Sequence, residues 1–157
     1  GLSEEEMATL YNAMDVHLLA SKREGFGIPI LESMATGVPN ISHDFSSMSE
    51  LVKDHGWLCK SLGYDLNLET TPLNAETATP DVYSIAECIK DAYFDEKKRI
   101  TYGKRAREFA IQYNWDDIIS NGWIPFLKNV EKEIKDKRNM IGLTEEKNIL
   151  WKKLKNQ

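Results

Sequence analysis

Two acidic side chains flank a glycine turn in the stretch Glu24-Gly25-Phe26-Gly27-Ile28-Pro29-Ile30-Leu31-Glu32. A carboxylate accepts hydrogen bonds on two oxygens, so one side chain can clamp two neighbouring hydroxyls. Bonds of this charge-assisted kind contribute about 1.5–3 kcal/mol each. Glu24, ahead of the turn, is placed to face a sugar. Glu32, expected in the first turn of the following helix, lies deeper, where a ribose diol would fit. Gly25 and Gly27 let the backbone come close to a ligand. The amides of the turn and of the helix start carry partial positive charge, which suits phosphate. Phe26, between two glycines, is hard to justify as core packing and can wall a sugar or a phosphate. Plainer readings compete: the helix dipole favours Glu32 without any ligand, and Glu24 can be a solvated loop charge.

These residues need a strand before them and a helix after them. Ser3-Glu4-Glu5-Glu6 fits a capping box, and Met7, Leu10, Tyr11 and Met14 follow at helical spacing. Asp15 to Ala20 reads as a short buried parallel strand. Pro29 suits the first helical position; Ile30, Leu31, Met34 and Ala35 form a buried stripe, and Gly37 stops the helix. A strand over 38–42, a helix over 48–53 and a strand over 56–59 follow. Residues 60–80 show no clear period and read as a long loop, with short strands of its own as an option. The rest is helical: 81–94, 96–112, 115 to about 135, and 144–155. This order is α/β, a Rossmann-like parallel sheet with helices on both faces, followed by a helical C-terminal region. Three strands are few where a doubly wound domain has about six, so the chain reads as the second half of a larger domain.

Composition limits the function. The chain has 157 residues and a net charge of −5, unevenly spread. Residues 1–127 carry 11 Lys and Arg against 20 Asp and Glu, whereas 128–157 carry 9 against 5. An acidic body argues against nucleic acid as a partner. No apolar run approaches the roughly 20 residues of a membrane span. The start, GLSEEEMATLY, is acidic rather than basic-then-apolar, so no leader peptide is expected. Cys59 and Cys88 cannot form a disulfide framework, which suits a reducing cytoplasm. His17, His43 and His55 lack metal-ligand spacing.

The run DVHLLASKREGFGIPILESMATGVPNI resembles the signature of the family-four retaining glycosyltransferases of GT-B architecture: two glutamates separated by seven residues around a G-F-G turn. Asp15 at the strand start, Met34-Ala35-Thr36-Gly37-Val38-Pro39, Glu50-Leu51-Val52 before Gly56, and Asn114-Trp115 extend the likeness over about residues 1–127. The resemblance implies that 1–127 is the second half of a GT-B C-terminal, donor-binding Rossmann-like domain; 128–157 reads from its own residues as a basic amphipathic helical tail. It implies that Glu24 is the catalytic-site acid binding hydroxyls of the donor sugar. Gly25, Phe26 and Gly27 would line the sugar and diphosphate, with amides of Gly27 and Ile28 near the phosphates, Leu31 near the ribose and Glu32 on it. The implied reaction moves a sugar from a nucleotide-sugar to an acceptor with retention. No cofactor or obligatory metal is implied, and no Asp-x-Asp motif is present. The family has Pro where Ala20 stands, and its diphosphate-neutralising basic pair and acceptor domain lie before Gly1, so the isolated chain is expected to be inactive. Lys22 and Arg23 are read as solvated.

Two other readings stay open. One is a non-catalytic nucleotide-sugar-binding or scaffold module. The other is a different GT-B enzyme, an epimerase or phosphorylase, which would lack the G-F-G turn between its glutamates. For the tail, Lys147, Lys152, Lys153 and Lys155 flank Ile149, Trp151 and Leu154. Peripheral contact with anionic membrane is the sharper reading; packing on the N-terminal GT-B domain, or a solvated end, is the preferred one. Donor sugar, base, acceptor and oligomeric state are not readable.

Overall fold

A computed structural model describes residues 1–66 and 76–140. The chain divides into two compact units, Gly1–Gln112 and Tyr113–Gln157. In the first, α1 (Glu4–Asn12) begins at the expected capping box: Ser3 Oγ accepts from the Glu6 amide at 3.3 Å, and the Glu6 carboxylate accepts from the Ser3 amide at 2.7 Å. Then come β1 (His17–Leu19), α2 (Ile28–Ala35), β2 (Asn40–His43), α3 (Ser47–Val52) and β3 (Gly56–Cys59). The three strands are parallel in the order β1-β2-β3, with His17 opposite Asn40 and Asn40 opposite Gly56. All four residues of central β2 are buried, as a strand covered on both faces requires. β1 is read from the sequence as a buried strand; in this chain its residues are half-buried or exposed. It lies at the sheet edge, and Leu18 is 43% exposed, opening onto a groove of about 410 Å³ with Val16, Ile41, Ile89 and Tyr93.

Side-chain alternation along β2 separates the two helical layers. Asn40 faces α2, where its Nδ2 donates to Ser33 Oγ at 2.8 Å while Ser33 Oγ donates to the Ile30 carbonyl at 2.9 Å. His17 Nδ1 lies 2.6 Å from Asn40 Oδ1, so a fully buried amide is satisfied on both sides. The expected stripe on α2 is thereby revised. Ile30 and Met34 are buried, Leu31 is half-buried and Ala35 is exposed, and Ser33 takes the inward place because it answers Asn40. Ile41 faces the other way, packing with Trp57, Ala92 of α4 (Val82–Phe94), Val16, Cys88 and Tyr102. The Trp57 indole N–H donates to Asp91 at 2.6 Å, and Lys98 Nζ bonds the same carboxylate at 2.5 Å. These bonds, the lysine's first, hold the Asp91 carboxyl below the usual range.

Helix α5 (Glu96–Ala110) lies against α2 through Gly103, Ala106 and Ala110, all buried. Arg107 donates to the Ala35 carbonyl and so caps the C-terminus of α2. A Cβ at Gly103 would collide with the Gly37 carbonyl oxygen, a backbone atom that cannot swing aside. Gly103→Ala is therefore expected to cost about 1–3 kcal/mol. Urea denaturation checks this; an unchanged midpoint would contradict the close helix crossing.

Residues 60–80 do contain strands. β4 (Ser61–Leu66) pairs antiparallel with β5 (Glu76–Pro80), forming a separate two-stranded sheet; 67–75 lie outside the described residues. In the second unit, Asn114 caps α6 (Trp115–Asp117). A π-helical stretch (Ile118–Trp123) then leads into α7 (Ile124–Met140). The sequence predicts one regular helix here. Pro125, which has no amide and whose ring crowds the carbonyl four residues back, explains the widened turn just before it. The expected helix over 144–155 lies outside the described residues. Among the described residues, no helix is long and apolar enough to cross a membrane.

Candidate functional site

The turn 24–27 joins the carboxyl end of β1 to the start of α2, where open α/β sheets place ligands. Gly27 is the N-cap of α2 with φ 91°, ψ 46°, a left-handed conformation that glycine adopts without penalty. Its conformation fixes the helix start one residue earlier than expected, so Pro29 is the second helical residue. Both Ile30 and Leu31 amides donate to the Gly27 carbonyl, at 2.9 and 3.3 Å. No side chain caps the helix, and Pro29 has no N–H. The donors left to the first turn are the amides of Gly27 and Ile28. Gly25 differs from Gly27: a Cβ there would meet nothing within 4 Å, whereas one at Gly27 would come to 3.2 Å of Leu51. Gly27→Ala is expected to cost about 1–2 kcal/mol for its left-handed backbone, and Gly25→Ala no more than about 0.5 kcal/mol. Equal losses in denaturant melts would refute the distinction.

The two acids are held by different partners. Ser21 Oγ donates to Glu24 Oε1 at 2.7 Å; among the described residues nothing donates to Oε2. Glu24 is half-buried, Gly25, Phe26 and Ile28 are exposed, and Gly27 is buried. Phe26 is 44% exposed, so it is not core. Glu32 is the fifth residue of α2, beyond the first turn, so the expected dipole stabilisation there is largely gone. Its Oε2 accepts from the Tyr11 hydroxyl of α1 at 3.1 Å. Burial first, and the Glu32 carboxylate second, push the Tyr11 hydroxyl above its usual range. Glu32 opens onto a cleft of about 480 Å³ between α1 and α2, lined also by Leu2, Met7, Tyr11 and Thr36. Leu31, half-buried, is not among its lining residues, and neither is Glu24.

The sequence marks the loop 43–47 as bearing on donor choice; in the structure its residues brace this turn. Ser46 and Ser47 hydroxyls donate to the Glu24 carbonyl at 3.0 and 3.2 Å. His43, fully buried at the end of β2, has Nδ1 3.3 Å from the Ser21 carbonyl and Nε2 2.6 Å from Ser61 Oγ on β4. The Ala78 amide of β5 donates to the Lys22 carbonyl at 3.1 Å. The hairpin thus buttresses the turn. A Ser-Ser pair ahead of a helix was the available signal, but it reads as an ordinary N-cap.

The family model for glycosyl transferases group 1 matches residues 1–65. The chain is 31% identical over 134 residues to the alpha-monoglucosyldiacylglycerol synthase of Streptococcus pneumoniae, covering 84% of this chain and 27% of that protein. It is 42% identical over 114 residues to O-antigen chain mannosyltransferase B of Escherichia coli, covering 73% of this chain and 25% of the relative. It is 28% identical over 120 residues to the N-acetyl-alpha-D-glucosaminyl L-malate synthase of Bacillus anthracis, covering 74% and 27%. The chain therefore spans about a quarter of the length of these relatives. The match takes in β1, the 24–27 turn, α2 and β2, and these are the elements that build the site. Through residues 1–65, this chain belongs to the glycosyl transferases group 1 family.

Proposed function

We propose that this chain is the donor-binding part of a retaining glycosyltransferase. Glu24 binds hydroxyls of the donor sugar, Gly25, Phe26 and Gly27 line sugar and diphosphate, and the amides of Gly27 and Ile28 meet the phosphates. Leu31 packs near the ribose, and Glu32 binds it. The bond from the anomeric carbon to the diphosphate breaks, and its electron pair leaves on the nucleoside diphosphate. The acceptor oxygen bonds to that carbon on the same face and passes its proton to the departing diphosphate oxygen. A basic pair and an acceptor domain upstream complete the site, and no metal has a step in it.

The observation that carries this reading is the pair of uncapped amides lying in sequence between two acids, each with an oxygen that no described residue bonds. The names of the relatives combine different sugars with different acceptors, so neither donor nor acceptor is assigned. The test is release of nucleoside diphosphate by the intact protein from UDP-glucose, UDP-N-acetylglucosamine and GDP-mannose, with the anomeric configuration of the product read by NMR. Binding without turnover would favour the non-catalytic module. An inverted product would remove retention.

A further inference from the structure

Ser46 has φ 51° and ψ −144°, a combination that residues other than glycine rarely hold. The other non-glycine residue with positive φ among those described, Asp54 at 68°, follows α3, where helix ends commonly turn left-handed. Ser46 precedes α3, where an N-cap is ordinarily extended with negative φ. It also fails to cap: its side chain makes no cap bond to α3. Its hydroxyl reaches across to Glu24 instead, donating to the carbonyl at 3.0 Å with the Glu24 amide 3.5 Å away. Strain at a residue that forgoes its local bond to hold a neighbouring loop points to a task in that loop.

We propose that Ser46 is a positioning residue for Glu24. This rests on the assignment of Glu24 to the donor sugar. Ser46, with Ser47, fixes the Glu24 main chain, and Ser21 fixes carboxylate oxygen Oε1. Oε2 is then held toward the sugar hydroxyls. His43 stabilises the arrangement from behind: with its proton on Nδ1 it donates to the Ser21 carbonyl, and Nε2 accepts from Ser61. A hydroxyl at 46 is needed for this, and glycine, which suits the backbone better, cannot supply it.

The test uses the intact protein and whichever of the three nucleotide-sugars above it turns over. Ser46→Gly is expected to unfold at an equal or higher urea midpoint, because strain is relieved, while kcat/KM falls about 5-fold or more. Ser21→Ala is expected to lower kcat about 10-fold, with the Kd of the nucleoside diphosphate unchanged within about 2-fold, and Ser21→Thr to recover most of it. A Ser46→Gly variant that is fully active, or that loses stability and activity together, overturns the proposal. If Glu24→Gln is inactive while the serine variants match the wild type, positioning alone is wrong. If Glu24→Gln is itself as active as the wild type, the donor-site assignment falls with it.

Discussion

Replacing Glu24 by glutamine is expected to lower kcat/KM for sugar transfer by about 100-fold or more. Ser21 can still donate to the amide oxygen, so the turn keeps its support. What is lost is the charged oxygen offered to the sugar, together with the bonds of about 1.5–3 kcal/mol that it accepts. At about 1.4 kcal/mol per tenfold, two weakened bonds reach that factor. The glutamine also brings an N–H₂ group where two hydroxyl donors converge. The urea midpoint should stay within error of the wild type. A variant with undiminished transfer would remove Glu24 from the donor site.

The second large effect belongs to the other end of the donor. Glu32→Ala is expected to raise the Kd of the nucleoside diphosphate about 10- to 100-fold, with a smaller change in kcat at saturating donor. An unchanged Kd by calorimetry would contradict the ribose role. The same variant has a second readout that needs no ligand. Tyr11 holds its proton more tightly folded than unfolded, partly because of the Glu32 carboxylate. The stability this gives is present below about pH 10 and is lost as pH rises through the higher folded value. Without Glu32 the Tyr11 hydroxyl should titrate lower, though still raised by burial. The alkaline loss of stability should shrink accordingly.

What the chain declares locally, it declares well. The Ser3 box and the strand–turn–helix around Gly25 and Gly27 both follow from residue types a few positions apart. What escapes is set at a distance. The β4–β5 hairpin is weakly announced: β4 is short and irregular in register at Ser61/Gly63, and its Leu62 and Tyr64 are 68% and 66% exposed rather than packed in the core. The bonds of His43 to residues 21 and 61, and of Ser46 to residue 24, join positions about 20 apart in sequence. No local periodicity encodes those pairings. The Tyr11–Glu32 bond, between positions 21 apart, is likewise set by the packing of α1 on α2.

The amide of Asn40 has a consequence for binding. Apolar contacts alone would let α2 slide or rotate on the sheet at little cost, because one oily surface replaces another. Asn40 and Ser33 forbid that, since any shift leaves buried donors bare, at about 1–3 kcal/mol each. The start of α2, and with it the amides of Gly27 and Ile28, is therefore set before any ligand arrives. A donor docking there would find its contacts ready-made, and little of its binding energy would be spent on ordering the protein.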